Sequence, residues 1–403
     1  MRVDAVIFGG GAAGLWLLDE LYRRRLRVLL LESGRLGQGQ TVASQGIIHS
    51  GLKYMLDWRP TSAAWKIREM PGVWRAALRG ENFPRLTQTP VRSEFCYLWQ
   101  TTGFMSRAGM FFARWLLQSR PRILSSLDRP ELLRDCPGTV ARIEEQVISP
   151  AGFLTDLARQ HHDRILSIDA EKGVQFTVNN PGEVQRIHIR HPDVTEPLEL
   201  EPGKVIFTAG SGNEELRARV GLSQPAMQRR PLHMVLVRGR LPAFNGHCID
   251  GAKTRVTITS DKDAEGRTVW QVGGQIAEDG VKLTEEALLG RARRELLQVL
   301  PSIDLERTEW STYRVDRAEG AAAHNLRPDT PQVLEEGNIL TAWPTKLALA
   351  PQLARDLAAR FVEQAGTPEP FPPELADWPR PEVALPPWET AAQWWRLNEP
   401  AFA

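Results

Sequence analysis

Apolar runs at the start of the chain predict a strand, a turn, a helix and a second strand in immediate succession. Residues 5–8 form a continuous apolar run that fits a strand covered on both faces of a parallel sheet. A glycine-rich turn over residues 9–14 follows, and the leucine-rich segment after it is typical of a buried helix. Residues 27–32 then form a second apolar run that ends in an acidic residue. This order predicts a parallel βαβ unit.

The glycines of the first turn have the spacing of a nucleotide-binding motif. Gly9, Gly11 and Gly14 match G-x-G-x-x-G, in which glycine allows a tight turn, close approach of a pyrophosphate and close packing of helix on strand. Glu32 stands 18 positions after Gly14, where the fold places a ribose-binding carboxylate, and its charge argues against a 2′-phosphate. The unit is therefore predicted to bind a dinucleotide on the positive end of the helix. The alternative is a structural glycine turn without a nucleotide.

Patterns further along the chain predict more strands, and from about residue 225 to 312 the pattern becomes mainly strands. The predicted strands cover residues 174–178, 185–190, 204–207, 232–237, 255–259 and 269–273. A polar turn over residues 261–267 joins the last two strands as a hairpin. One helix is expected to begin at Pro150 with Ser149 as its cap, and another to run from about Thr284 to Leu300.

Composition excludes several classes of partner and site. The 403 residues carry 50 Lys and Arg against 49 Asp and Glu, a net charge of +1, so no global field recruits nucleic acid or an anionic membrane. The three cysteines are widely spaced without a CxxC pair, which fits a reducing compartment and excludes a cysteine metal site. The adjacent His161 and His162 are expected to be solvated rather than ligands, and no metal is predicted. The apolar segment near Met1 is interrupted too early by glycines for a signal peptide, and no window of 18 apolar residues predicts a membrane span.

The segment behind Glu32 carries a family resemblance. Residues 41–54 read Thr-Val-Ala-Ser-Gln-Gly-Ile-Ile-His-Ser-Gly-Leu-Lys-Tyr, and the last seven follow the pattern I-H-x-G-[LI]-x-Y. Together with the glycine motif, this loop resembles the FAD-dependent D-amino-acid oxidase superfamily. Its flavin-dependent glycerol-3-phosphate dehydrogenase and L-2-hydroxyglutarate dehydrogenase branches are the most similar. The segments at 146–154, 204–213 and 327–351 are similar to later motifs of the family and come in the same order.

The resemblance implies FAD as the cofactor and assigns residues around it. The implied fold is α/β with mixed α+β character, a Rossmann-like FAD-binding domain of the glutathione-reductase type interleaved with a mainly antiparallel-sheet substrate domain. The FAD contacts that it implies are Gly9, Gly11, Ala12, Ala13, Gly14, Glu32, Ser33, Thr41, Ser44, Gln45, Gly46, Ile47, Val174, Thr208, Ala209, Gly210, Thr345, Lys346 and Leu347. Lys346-Leu347 is similar to a pair in the glycerol-3-phosphate dehydrogenase branch, whereas Trp343-Pro344 replaces the glycines of amino-acid oxidases.

Oxidation of a small acid at FAD would need a base and a cation beside the flavin. His49 follows the cofactor loop and titrates in a useful range, which makes it the candidate base or orienter. The alternatives are that His49 only packs beside the ring or holds FAD covalently. Lys346, at a helix N-terminus, would stabilise negative charge that builds on the reduced flavin.

Lys53, Tyr54 and Arg314 are the candidates to bind the acid group of the substrate. Arginine grips a carboxylate or phosphate with two parallel hydrogen bonds, while lysine and tyrosine supply a point charge and a hydroxyl. In the glycerophosphate branch an arginine usually stands at the position of Lys53, so phosphate against carboxylate stays open, with a lean toward carboxylate. The alternative for Lys53 is a surface charge. Arg314 is also placed in the catalytic set with His49 and Lys346.

The predicted organisation interleaves the two domains along the chain. Residues 1–60, 145–225 and 313–365 are assigned to the FAD-binding domain, 61–144 and 226–312 to the substrate domain, and 366–403 to a Pro- and Trp-rich tail wrapped over the body. The expected location is the cytoplasm, with peripheral contact at the inner face of the membrane left open.

The implied function is an FAD-dependent dehydrogenase or oxidase. It would oxidise a CH–OH or CH–NH₂ group of a small acidic substrate by hydride transfer to FAD and pass electrons to oxygen, a quinone or a carrier protein. One alternative is a flavoprotein that acts on a macromolecule, which a basic groove around Arg107, Arg114, Arg120 and Arg122 would favour. The other is a non-catalytic FAD-binding protein.

Overall fold

A computed structural model describes residues 1–49, 62–101, 121–169, 171–250, 253–322, 328–363 and 370–397. Over these residues the strands are, in chain order, β1 (Arg2–Phe8), β2 (Val28–Glu32), β3 (Val91–Ser93), β4 (Cys96–Trp99), β5 (Arg122–Ile123), β6 (Val140–Ile143), β7 (Val147–Ile148), β8 (Ile165–Ser167), β9 (Val174–Asn180), β10 (Glu183–Ile189), β11 (Leu198–Phe207), β12 (Met227–Gly239), β13 (Gly246–Asp250), β14 (Lys253–Lys262), β15 (Thr268–Gly273), β16 (Glu309–Gly320), β17 (Gln332–Glu336) and β18 (Ile339–Trp343). The α-helices are α1 (Ala12–Arg23), α2 (Ser62–Leu78), α3 (Pro150–Gln160), α4 (Asn213–Arg219), α5 (Gln275–Asp279), α6 (Glu285–Val299), α7 (Ala350–Ala358) and α8 (Pro387–Thr390).

The first sheet is built around the N-terminal strand. Its order is β17-β18-β11-β1-β2-β8, with the five strands from β18 to β8 parallel, β17 antiparallel, and β9 and β10 attached to β11. Alternate residues of β1 face opposite layers: Ile7 packs with the helices and Phe8 with the side of β9 and β10. Both faces of β1 are covered, which is why its sequence is a continuous apolar run. The mixed α/β class is confirmed.

A helical layer on this sheet includes a segment that the sequence assigned to the other domain. Trp74 of α2 lies 4.6 Å from Trp16 of α1 and 5.1 Å from Phe153 of α3, measured between ring centroids. Its indole nitrogen donates to the carbonyl of Ala348 at 3.1 Å. Trp74 of α2 therefore packs with α1 and α3 on the first sheet, and the domain boundary expected at residue 61 stays a prediction.

The second sheet is mainly antiparallel. Its order is β16-β12-β15-β14-β13-β4-β6-β5, in which only β13 and β4 run parallel among the described pairs. Helix α6 covers one face, with Leu288 and Leu296 buried in the same cluster as Val235 and Val272. The hairpin β14–β15 and its polar turn are as predicted. Separation of the strands into two sheets supports the proposed division into two domains.

Both predicted helix caps are present. The hydroxyl of Ser149 accepts from the backbone N–H of Gly152 at 3.2 Å at the start of α3. The hydroxyl of Thr284 accepts from Ala287 N at 3.3 Å at the start of α6. Both caps could be predicted from the local sequence, because a helix cap involves only the residues of the first turn.

The interpretation of His161 as a solvated residue is wrong. His161 is 3% exposed and its Nε2 lies 3.1 Å from Oδ1 of Asp19, which is also 3% exposed. Oδ2 of the same carboxylate accepts from Nε of Arg23 at 2.8 Å. The end of α3 packs against α1, and that contact is not visible in the local sequence. His162 is exposed, as expected.

Asp19→Ala should lower the free energy of unfolding by about 2–4 kcal/mol, because it leaves a buried imidazole without its acceptor. Urea unfolding followed by circular dichroism measures the change. Asp163→Ala is the matched control, since the Asp163 side chain is 66% exposed and pairs with Arg164 on the surface. Equal losses for the two variants would contradict a structural role for the Asp19–His161 pair.

The described part of the tail, residues 370–397, wraps over both sheets as predicted. The indole of Trp378 donates to the carbonyl of Ser167 at 2.7 Å, beside the first sheet. Trp395 exchanges backbone hydrogen bonds with Trp310 on β16 of the second sheet. Arg238 lies over the ring of Trp394 at 3.8 Å. No helix within the described ranges is long and apolar enough to cross a membrane.

Candidate active site

The glycine turn after β1 has no room for a side chain at Gly9 or Gly14. Gly9 adopts a φ of +103°, which favours glycine, and a methyl group on it would lie 2.5 Å from Cα of Ala209. A methyl on Gly14 would lie 2.0 Å from the carbonyl oxygen of Gly9. The hydroxyl of Thr208 donates to the carbonyls of Phe8 and Gly9 at 3.0 and 3.1 Å. The structure thus brings the predicted residues at 9–14 and 208–209 together.

Glu32 ends β2 directly beside this turn. One carboxylate oxygen accepts from Gly10 N at 2.7 Å and the other from Gly34 N at 2.9 Å. Burial raises the pKa of Glu32 above its ordinary value, although the amides of Gly10, Gly34 and Ser33 act in the opposite direction. Each oxygen has a further lone pair, so the carboxylate can accept from ribose hydroxyls.

The loop over residues 41–48 runs from the helix start to the second sheet. The hydroxyl of Thr41 accepts from Ala12 N at 3.2 Å at the N-terminus of α1. The side-chain amide of Gln45 donates to the carbonyls of Thr257 and Gln271 at 3.2 and 3.0 Å. The hydroxyl of Ser44 is buried without a hydrogen-bond partner among the described residues. A buried hydroxyl beside a glycine-lined helix N-terminus fits a polar cofactor in this position.

Two imidazoles and one carboxylate meet at the end of this loop. Nδ1 of His49 lies 3.2 Å from Oε2 of Glu145, and Nε2 of His247 lies 3.4 Å from the same oxygen. Nδ1 of His247 lies 3.0 Å from the hydroxyl of Thr257. The side chains of Glu145 and His247 are 3% and 6% exposed, whereas that of His49 is 41% exposed. Among the three, His49 is therefore the group that a substrate can reach.

Burial and neighbouring charges shift the pKa values of Glu145 and His49 in this cluster. Burial raises the pKa of Glu145, but the two histidines more than offset this effect and hold that pKa well below its ordinary value. Desolvation lowers the pKa of His49, Glu145 raises it, and His247 and Lys346 lower it, with a net decrease from the usual 6.5. His49 is thus a neutral imidazole beside an ionised carboxylate at neutral pH.

The segment around Lys346 approaches the cluster from the first sheet. Thr345 has a φ of +64° and its hydroxyl donates to the carbonyl of Thr330 at 3.0 Å. Lys346 precedes a short 3₁₀ turn over 347–349 that leads into α7, and its charge acts on the pKa of His49. The indole of Trp343 donates to the carbonyl of Gly210 at 3.3 Å. The predicted helix N-terminus therefore carries a lysine whose charge acts on the pKa of His49.

Comparison with known proteins identifies the family. The model of the FAD-dependent oxidoreductase family named DAO matches residues 4–338. The chain belongs to this family. A probable FAD-dependent oxidoreductase of Pseudomonas aeruginosa, PA4991, is 40% identical over 397 residues, which cover 97% of this chain and 98% of the relative. An aerobic glycerol-3-phosphate dehydrogenase of Staphylococcus haemolyticus is 22% identical over 67% of this chain and 47% of its own length.

Solved structures share the fold along nearly the whole chain. The crystal structure of PA4991 superposes with a TM-score of 0.79 and 37% identity, and covers 97% of this chain and 98% of that one. The structure of L-α-glycerophosphate oxidase from Mycoplasma pneumoniae with FAD bound gives 0.62 and 15% identity, over 92% of this chain and 97% of that one. The second likeness shows the fold alone. The expectation of an FAD-dependent enzyme of the D-amino-acid oxidase superfamily is confirmed, and FAD is its cofactor.

Arg314 of this oxidoreductase does not join the other predicted residues. Its guanidinium donates to the carbonyls of Val281 and Leu283 at 3.1 and 3.2 Å. The neighbouring Tyr313 instead donates from its hydroxyl to the carbonyl of Ala43 at 2.8 Å, in the cofactor loop. Successive residues of a strand point to opposite faces, so Arg314 lies on the face away from the loop. The structure therefore does not bring Arg314 together with His49 and the cofactor loop, and its assignment as a substrate-binding and catalytic residue stays a prediction.

Several other predicted residues lie outside the described part of the chain, whereas Val174 lies within it. Lys53 and Tyr54 lie outside the described residues, as do Arg107, Arg114 and Arg120 of the basic groove. Val174 belongs to the same buried cluster as Leu31, next to the carboxyl end of β2. Its carbonyl accepts from Arg219. Contact of Val174 with the adenine of FAD remains a proposal.

Sequence reasoning missed Glu145, His247, Gln271 and Tyr313. Glu145 stands just before the apolar residues that return the chain to the first sheet, and nothing in that pattern distinguishes it from a surface acid. Gln271 and Tyr313 lie on strands β15 and β16, where the amide of Gln271 donates to the hydroxyl of Tyr313 at 2.9 Å. A polar residue within a predicted apolar strand, as Gln271 is, was the one available signal.

Proposed function

We propose that this oxidoreductase oxidises a CH–OH or CH–NH₂ group of a small acidic substrate, with His49 as the proton acceptor. The observation that carries the proposal is the pairing of a partly exposed, neutral imidazole with a buried carboxylate at the end of the cofactor loop. A base in that form accepts a proton without first losing one.

The residues that would hold FAD are those already placed at the glycine turn. The turn at 9–14 and the start of α1 would face the pyrophosphate, and Glu32 would bind the ribose. Thr41 and Ser44 would bind along the loop, together with residues 208–210 and 345–347. FAD, when bound, supplies the acceptor for the hydride that leaves the substrate carbon.

Side chains of the protein would accept the proton of the substrate and place positive charge near the reacting atoms. The remaining ring nitrogen of His49 would take the proton from the substrate heteroatom while the carbon loses hydrogen with its bonding pair, leaving a carbonyl or an imine. Lys346 would place positive charge beside this centre. Lys53 and Tyr54 remain proposals for binding the acid group. The electrons would then pass to oxygen, a quinone or a carrier protein.

Anaerobic titration of the purified holoenzyme tests this function. The absorbance band of oxidised flavin near ~450 nm should bleach with one member of a panel of 2-hydroxy acids, amino acids and glycerol phosphates. The class that bleaches it identifies the reacting bond and the acid group together. A holoenzyme that no member bleaches would contradict the proposal and favour a macromolecular substrate or a protein without turnover.

A further inference from the structure

One carboxylate oxygen serves as the meeting point of two histidine rings from different parts of the fold. Glu145 lies between β6 and β7, and its backbone N–H donates to the carbonyl of Ile143 at 2.8 Å. His247 lies on β13 of the second sheet, and His49 at the end of the cofactor loop. The cluster therefore joins the loop that contacts the first sheet to the centre of the second.

The hydrogen-bond partners determine where the ring protons lie. Oε2 of Glu145 is within reach of one nitrogen from each ring, at 3.2 Å for Nδ1 of His49 and 3.4 Å for Nε2 of His247. A carboxylate only accepts, so Nδ1 of His49 is the donor in its hydrogen bond to Glu145. Nε2 of His247 faces the same oxygen at ion-pair distance without a hydrogen bond among the described residues, and Nδ1 of His247 lies 3.0 Å from the hydroxyl of Thr257. In His49, the proton on Nδ1 leaves Nε2 with a free lone pair.

The carboxylate of Glu145 is buried, so its charge depends on the groups that contact it. Glu145 is buried beside Cys96, whose thiol pKa is raised well above its ordinary value, first by burial and then by the charge of Glu145. A carboxylate removed from water needs polar partners, and here it has the hydrogen bond from His49 and the nearby ring of His247. The titratable and charged groups that act on His49 in the described structure are Glu145, His247 and Lys346.

We propose that Glu145 is a positioning residue that holds His49 as the Nδ1–H tautomer through its hydrogen bond to Nδ1. The inference rests on the proposed function, because it explains how His49 presents Nε2 to a substrate O–H or N–H. After transfer, the proton sits on Nε2, and the imidazolium is stabilised by the adjacent carboxylate. The proton then leaves to water when the product departs.

Glu145→Gln should slow anaerobic reduction of bound FAD by about tenfold or more, with FAD content unchanged. The substrate is the compound from the panel that bleaches the flavin. Loss of the carboxylate also removes the charge that raises the pKa of His49, so the acid limb of the rate profile should move to lower pH. Glu144→Gln is the matched control, since that side chain is 79% exposed and pairs with Arg75. It should leave both the rate and the acid limb unchanged.

The outcomes separate this inference from the function on which it rests. If His49→Gln is slow while Glu145→Gln matches Glu144→Gln in rate and acid limb, the positioning role is overturned and the function stands. If His49→Gln itself reduces flavin at the normal rate, His49 is not the proton acceptor and the inference fails with that role. A holoenzyme whose flavin no member of the panel bleaches overturns the proposed function before any variant is compared.

A measurement on the unmodified holoenzyme tests the same inference if a variant does not fold. Nitrogen-15 NMR of labelled histidines at pH 8 should show His49 protonated at Nδ1 and free at Nε2. The opposite tautomer would overturn the inference. So would a stoichiometric divalent metal in the purified protein that Glu145→Gln releases, since the three ligand atoms lie within 4.8 Å of one another.

Discussion

His49→Gln should slow the reduction of bound FAD by its substrate by about 10²–10⁴-fold while FAD stays bound. His49 is the group of its cluster that a substrate can reach, and its neutral ring is the proton acceptor in the proposed reaction. Gln has a similar polar reach but no basic nitrogen. Stopped-flow absorbance under anaerobic conditions measures the rate, and the visible spectrum reports the FAD content.

The same experiment in the unmodified enzyme carries a pH signature. Because the pKa of His49 lies below 6.5, the rate should be independent of this group at neutral pH and fall as the pH drops through that pKa. His49→Gln should lack this acid limb. His162→Gln is the matched control, because that histidine is exposed and stands apart from the cluster. A normal rate in His49→Gln would show that the ring only packs beside the cofactor.

The predictable part of the site is the part that local sequence specifies. The glycine turn, Glu32 and the caps at Ser149 and Thr284 each depend on a few neighbouring residues, and the structure has all of them. The family resemblance supplied the order of later segments, such as the one at 345–347. The motifs of the family identify residues that contact FAD. They do not identify residues that act through another side chain.

The unpredictable part depends on contacts between distant strands. Glu145 meets His247 because β13 pairs with β4 and β4 pairs with β6, and no local pattern reveals that register. Arg314 is a second example of this dependence on strand geometry. It lies one residue from Tyr313, which does contact the cofactor loop, and a shift of one residue in a strand moves a side chain to the other face.

Gly14→Ala should weaken FAD binding by about 100-fold, because the added methyl would lie 2.0 Å from the carbonyl oxygen of Gly9 and 2.8 Å from the hydroxyl of Thr208. The first contact is with backbone, which cannot rotate away as a side chain can. Relief requires α1 to move from β1, and the N-terminus of α1 is where the pyrophosphate is expected. Titration of the apoprotein with FAD, followed by flavin fluorescence, measures the dissociation constant.

Gly72→Ala separates the effect of this contact from the effect of the substitution itself. Gly72 lies in α2, where an added methyl meets no described atom within 4 Å outside its own helix, so alanine should stabilise the helix by about 0.5–1 kcal/mol and leave FAD binding unchanged. If Gly14→Ala binds FAD as tightly as Gly72→Ala, the glycine turn tolerates a side chain. Its spacing would then reflect the close packing of α1 on β1 rather than the approach of a pyrophosphate, and the cofactor would depend more on Glu32 and the loop at 41–48.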